Sequence, residues 1–292
     1  MNAASCPFRP TAWLRYAVSR ARAGVVCVAA LALAGWSGSW HRIPELFAHF
    51  FLQYALVLVP LVALLWRDGR WRWAALATLI LTGYTVAPFW LPVEDARHGT
   101  RLRLLQYNAA GQTDTLTHWL AGHPAEVDVV LVLEAGLAFE ADMLTLANEF
   151  PYRIAWLDDS PFGIALISRH PLHAAHVLEV VGPAFPALQA DIIMDGHTLR
   201  LIGIHPPPPI DNDLAQWRNR FMAALARQLE KERTPGQETL VFGDFNSTPW
   251  SPHLRDFMAR RVYPTPNGDK ARQAHGPPSP PATAGCLASR WT

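Results

Sequence analysis

Two regimes of hydrophobic patterning divide the chain. Up to residue 90 the apolar positions run almost unbroken in three stretches, about 23–40, 46–66 and 73–90. Each is close to the roughly 20 residues that cross a bilayer as a helix, so three transmembrane helices are expected. Trp36, Trp40, Trp66, Trp71, Trp73 and Trp90 gather at their ends, where interfacial aromatic belts sit. Beyond residue 100 the apolar runs shorten and are punctuated by Gly, Pro, Asn and Asp, the pattern of strands separated by turns. Strands are expected over 101–108, 127–133, 163–168, 188–194, 198–204 and 240–242. Asp195-Gly196 between the fourth and fifth predicts a hairpin. Helical spacing marks 116–120, 139–150 and 252–260, and most clearly 213–233, with an apolar face at Leu214, Trp217, Phe221, Leu225 and Leu229. Strands that occur both as hairpins and with helices between them predict an α+β fold with strand ends along one rim.

Charge sharpens the division. Residues 1–95 hold 8 Lys+Arg against 4 Asp+Glu, and the remainder holds 17 against 20, a net of −3. The second portion lacks the basic footprint of a protein that grips duplex phosphates, which weighs against a nucleic-acid substrate. Arg9, Arg15, Arg20 and Arg22 precede the first apolar stretch, and Arg67, Arg70 and Arg72 separate the second from the third. Only Arg42 lies in the other connection. The positive-inside bias then predicts a multi-pass inner (cytoplasmic) membrane protein with its C-terminal domain on the periplasmic or outer side. His49 and Gln53, one helical turn apart in the second stretch, are read as interhelical hydrogen-bond glue. The three cysteines, Cys6, Cys27 and Cys286, have no paired spacing, which argues against a thiolate metal site or a disulfide framework.

Five polar residues each follow an apolar run: Asn108, Glu134, His205, Asp244 and Asn246. Glu134 carries a carboxylate suited to a hard divalent cation, and Asn108 can support that ion or a phosphate oxygen. His205 is suited to stabilising charge that builds on a phosphoryl group when protonated. Asp244 and Asn246, two apart in Gly243-Asp244-Phe245-Asn246, project to the same side of extended backbone. Asp244 is suited to orienting or deprotonating a water, and Asn246 to holding a non-bridging oxygen. Arg218 and Arg220 are read as the solvated face of the long helix. His118, His123, His173, His176 and His197 are read as surface residues, and Asp158 and Asp159 as an exposed turn. Ser168 lacks the Gly-x-Ser-x-Gly elbow of a serine hydrolase.

The segments Gln106-Tyr107-Asn108, Leu131-Val132-Leu133-Glu134-Ala135, Gly163 to Arg169, Ile202-Gly203-Ile204-His205 and Gly243-Asp244-Phe245-Asn246 occur in order across about 101–260. In this the chain resembles the endonuclease/exonuclease/phosphatase (DNase I-like) superfamily, in a bacterial membrane-anchored branch. The resemblance implies a four-layer α/β sandwich, dependence on Mg²⁺ or Mn²⁺ held by Glu134 and Asn108, and hydrolysis of phosphodiesters or phosphomonoesters. It also implies a final strand carrying Asp-His, and nothing after Asn246 supplies one. His253 comes too early, and His275 leads into Gly-Pro-Pro.

The expected organisation is a membrane anchor over 1–95, a catalytic domain over 96–263, and a Pro-rich tail over 264–292, disordered or aberrant as a frameshift would leave it. The expected function is a membrane-anchored, metal-dependent phosphoesterase impaired by loss of the Asp-His strand. Its expected partners are the lipid bilayer and a phosphate-ester substrate, be it lipid, small molecule or nucleic acid; no protein partner is implied. The competing reading is an inactive truncated membrane protein or a non-catalytic binding module.

Overall fold

The computed structural model describes residues 12–89, 101–123, 125–234 and 237–260. The chain forms two compact units, Met1–Leu91 with Trp250–Pro252, and Pro92–Pro249 with His253–Thr292. The expected tail over 264–292, including His275, lies outside the described residues.

The N-terminal unit is helical: α1 (Ala12–Trp36), α2 (Arg42–Ala48), α3 (Phe51–Leu65) and α4 (Gly69–Val86). Its core is built from Val25, Ala32, Ala48, Phe51, Leu58 and Ala75, with Trp36 stacked on Phe51 at 5.5 Å. Arg22 and Asp68 form an ion pair at 2.7 Å. The expectation of three transmembrane helices is corrected here. Among the described residues only α1 is by itself long and apolar enough to cross a membrane. The second expected span is broken, because α2 and α3 meet at a 55° bend. His49 caps α2 at that break, so it and Gln53 do not share a continuous span. The third, α4, has 18 residues and carries Arg70 and Arg72 in its first turn, with Thr78, Thr82, Gly83, Tyr84 and Thr85 further on. These polar positions hold it below the apolarity of a span.

The second unit is α+β with two mixed sheets. In chain order its elements are β1 (Leu104–Asn108), α5 (Asp114–Gly122), β2 (Val129–Leu133), α6 (Phe139–Thr145), β3 (Tyr152–Trp156) and β4 (Ile164–Ser168). Then come β5 (His173–Glu179), β6 (Pro186–Met194), β7 (His197–Ile204), α7 (Asn212–Lys231), β8 (Glu238–Gly243) and α8 (Pro252–Ala259). One sheet has the order β1-β2-β4-β3 and the other β5-β6-β7-β8. Val129, Leu131 and Leu133 on β2 pack with Leu166 on β4, Leu188 and Ala190 on β6, and Leu201 on β7, so the sheets lie face to face. The alternate residues Val130 and Val132 turn outward onto Leu116, Leu120, Phe139 and Met143 of α5 and α6. Ala187, Ile202 and Ile204 turn outward onto Phe221, Met222 and Leu225 of α7 and onto Leu254 and Phe257 of α8. A strand buried on both faces reads as a continuous apolar run, which is why β2 and β4 carry no polar alternation. The Asp195-Gly196 hairpin forms as expected, with φ of 51° and 77° and Met194 opposite His197.

Two strand pairs are parallel, β1 with β2 and β7 with β8. Each pair is joined through a helix, as parallel neighbours require. Parallel pairing brings both C-terminal ends to the same edge, and that arrangement places the polar residues.

Candidate active site

In the first sheet Asn108 pairs in register with Leu133, so the side chain that ends β1 stands beside the residue that follows β2. Asn108 Nδ2 donates to Glu134 Oε1 at 2.7 Å, and its Oδ1 accepts from the Ala110 N–H at 3.0 Å. Glu134 is half-buried and takes a left-handed backbone with φ 55°. Its carbonyl accepts from Gly111 N at 3.0 Å, and the next residue, Ala135, donates to Gly163 O at 3.0 Å. A non-glycine residue held at positive φ costs on the order of 1–3 kcal/mol, and such strain persists where the surroundings over-determine it, most often at functional sites.

In the second sheet Ile204 pairs with Gly243, which sets His205 beside Asp244. Asp244 Oδ1 accepts from the Asn246 N–H at 2.7 Å, closing an Asx turn. Asn246 has φ 47°, and its Nδ2 donates to the Pro206 carbonyl at 2.9 Å. The Asn246 amide thus ties the end of β7 to the end of β8.

His205 connects the two halves. It is 4% exposed, and its Nδ1 is a buried atom without a hydrogen-bond partner. Burial pushes its pKa down; the charges of Asp244 and then Glu134 oppose that shift, as does a hydrogen bond to the Pro161 carbonyl. His205 therefore feels the carboxylates of both sheets, and burial sets it towards the neutral imidazole rather than the protonated form considered from sequence. A histidine whose folded pKa lies below its usual 6.5 penalises the folded state as pH falls from 6.5 towards the lowered value, because the unfolded chain takes up the proton first. The urea midpoint of the second unit is expected to drop between pH 7.5 and 5.5. In His205→Gln the drop should be smaller, and an identical pH profile in both proteins would contradict it.

The remaining expected surface residues are where the sequence put them. His118, His123, His173, His176 and His197 are exposed. Asp159 Oδ1 accepts from Leu137 N at 2.9 Å and Asp158 Oδ1 from Ser160 N at 2.7 Å, so both brace local turns. Arg220 is exposed and lies over the Trp217 ring at 5.7 Å.

Arg218 is a correction. Read as part of a solvated face, it is fully buried, and its Nη1 donates to the Asn246 carbonyl at 3.0 Å. The signal was present in the spacing, since 218 falls on the same stripe as Leu214, Phe221 and Leu225.

The donor chemistry fits a magnesium-type ion. Glu134 and Asn108 offer hard oxygens, and such an ion needs only one or two protein ligands because it retains waters. Among the described residues no group of three or more His, Cys, Asp or Glu is arranged to hold a metal, which disfavours a closed zinc-type site.

Two parallel strand pairs, one in each of two facing sheets, thus carry a carboxylate–amide pair and an imidazole–carboxylate–amide group at their C-terminal ends. The chain belongs to the Endonuclease/Exonuclease/phosphatase family, whose sequence profile it matches over residues 105–291. No curated protein sequence matches it. Among solved structures it is similar to sphingomyelinase C from Streptomyces griseocarneus, with 17% identity, a TM-score of 0.46, and coverage of 55% of this chain and 69% of that one. It is similar to a beta toxin variant from Staphylococcus aureus with bound magnesium ions, at 18% identity and a TM-score of 0.45, covering 55% of this chain and 70% of that one. It is also similar to D. rerio TDP2 complexed with single strand DNA product, at 16% identity and a TM-score of 0.44, covering 54% of this chain and 64% of that one.

Proposed function

We propose that this chain is a divalent-metal-dependent phosphoesterase held at a lipid bilayer by its N-terminal unit. The observation that carries the catalytic reading is His205, buried at the ends of the parallel strands and within electrostatic reach of both Glu134 and Asp244. Glu134 and Asn108 would hold Mg²⁺ or Mn²⁺, which when bound neutralises charge on the phosphate oxygens. Asp244 orients the attacking water and accepts its proton as the oxygen bonds to phosphorus. The ester P–O bond breaks, and the alcohol leaves with a proton from solvent. The second Asn246 N–H would stabilise an equatorial oxygen of the transition state, and His205 would do the same once it takes up a proton, which the charges of Asp244 and Glu134 favour. The net charge of −3 from residue 96 onward favours lipid or small phosphoesters over long nucleic acid.

Membrane attachment rests on how the N-terminal unit is packed. Small residues such as Ala21, Ala32, Ala48 and Ala75 are buried, whereas Leu33, Leu56, Val59, Ile80, Leu81 and Tyr84 are exposed. Large apolar side chains left on the outside of packed helices are suited to contact with lipid. Placement of the catalytic unit on the outer side of the cytoplasmic membrane follows from the N-terminal arginines if the chain crosses an odd number of times.

Purified full-length chain is expected to hydrolyse bis-p-nitrophenyl phosphate with Mg²⁺ or Mn²⁺, to lose that activity to a chelator, and to lose at least about 10²-fold in kcat on Glu134→Gln. No turnover by the wild type on this ester, or on a panel of lipid, sugar and nucleotide phosphoesters, would overturn the reading in favour of a non-catalytic module.

A further inference from the structure

We propose that Arg218 is a positioning residue that sets the geometry of the Asp244–Asn246 turn from beneath. The proposal rests on the phosphoesterase reading for its kinetic consequence and on the structure alone for its mechanical one. Arg218 lies on α7 and is, among the described residues, the largest of the fully buried side chains. Its guanidinium fork is oriented by its neighbour, Nε and Nη2 donating to Asn219 Oδ1 at 3.1 and 2.9 Å. Nη1 donates to the Asn246 carbonyl, 3.0 Å away.

Asn246 is the junction of the rim. Its backbone N–H holds the Asp244 carboxylate, its Nδ2 holds the carbonyl of the residue after His205, and its own φ of 47° is one that asparagine adopts only at some cost. The Arg218 bond fixes the carbonyl side of that left-handed residue, so it opposes relaxation of the turn to an ordinary right-handed backbone. Such a relaxation would swing the Asn246 N–H away from Asp244 and the amide away from Pro206 together. A planar, always-charged fork does this better than a single flexible ammonium, because less rotamer freedom is lost per bond formed.

The test compares Arg218→Met, which keeps most of the volume, with Arg218→Lys, which keeps one donor, both in the full-length chain. Arg218→Met is expected to lower kcat on bis-p-nitrophenyl phosphate by about 10²-fold, the effect of displacing a catalytic group by roughly an ångström, with KM within about threefold. Arg218→Lys is expected to recover part of kcat. In hydrogen exchange, Arg218→Met should speed the amides of residues 244–247 while those of β7 and β8 stay protected. Unchanged kcat in Arg218→Met, or a change in KM alone, would overturn the proposal. If the wild type shows no turnover, the phosphoesterase reading fails and exchange alone decides: faster exchange confined to the turn supports the Arg218 role, and unchanged exchange sinks it. If Arg218→Met does not fold, Arg218→Lys carries the same kinetic and exchange readouts, with a smaller loss expected in the same direction.

Discussion

Replacing Asp244 with Asn is expected to lower kcat by about 10²–10⁴-fold, the range over which positioned general bases contribute. The substitution is chosen for what it preserves. An asparagine keeps a side-chain oxygen that can accept from the Asn246 N–H, so the Asx turn and the bond from Asn246 to Pro206 stay in place. What is lost is the negative charge proposed to take the water's proton, which also acts on His205. With the carboxylate gone, burial lowers the histidine pKa against less opposition, so whichever limb of the rate profile reports His205 should shift to lower pH in any residual activity. Steady-state kinetics against pH, with a thermal melt to show that the fold is unchanged, checks this. A kcat within about threefold of wild type would remove Asp244 from the chemistry.

Gly243→Ala is expected to be the most destabilising single change at the rim, costing at least about 3 kcal/mol. Gly243 has φ 138°, which L-residues rarely adopt. A Cβ there would lie 1.9 Å from the carbonyl oxygen of Ile204, its register partner across the β7–β8 pair. The obstacle is backbone and not the end of a flexible side chain, so the two parallel strands must part. His205 follows Ile204 and Asp244 follows Gly243, so activity should fall together with stability. The urea midpoint of the second unit measures the first effect and turnover the second. A variant losing less than about 1 kcal/mol would show that the strand end is softer than its geometry implies.

Much of the second unit was legible because the pattern that encodes a strand is strongest where both faces are covered. β2 and β4, buried at every position, read as unbroken apolar runs, and α7 announced itself by its stripe. The strands that escaped are β3 and β5, and both are terminal in the order of their sheets. Tyr152 and Arg153 on β3, and His173, Ala174, Ala175 and His176 on β5, face solvent. A half-covered edge strand needs little hydrophobic alternation, so composition has nothing to report there. β5 also carries a bulge between His173 and His176, which breaks the period of two that a strand search looks for. Helix α6 stops at Thr145 instead of running to 150, yet Leu146 and Phe150 are buried, so apolar spacing continued past the end of the helix itself.

The site was legible as a list of strand-end residues, and the partners within it were not. Sequence suggests that Asn108 and Glu134 can meet, but only the parallel register of β1 and β2 makes them bonded neighbours. Arg218 shows the converse. A charged residue on an apolar stripe is more often a long side chain reaching solvent than a buried fork, so the stripe that carried Arg218 did not by itself reveal its burial. In the N-terminal region composition overstated the spans, because an average over 46–66 does not register a bend, and the tryptophans around α4 lie beside arginines that a count of aromatics ignores.

The packing of that N-terminal unit also decides how the protein must be handled. A bundle with Leu56, Val59, Ile80 and Leu81 on its outside gains little from collapsing in water and presents greasy ridges to any neighbour. Stripped of amphiphile, such copies would clump through these ridges at concentrations where the acidic, two-sheet portion stays dispersed. On the proposed attachment to a bilayer, micelles or nanodiscs are the medium in which the proposed chemistry is best measured one molecule at a time.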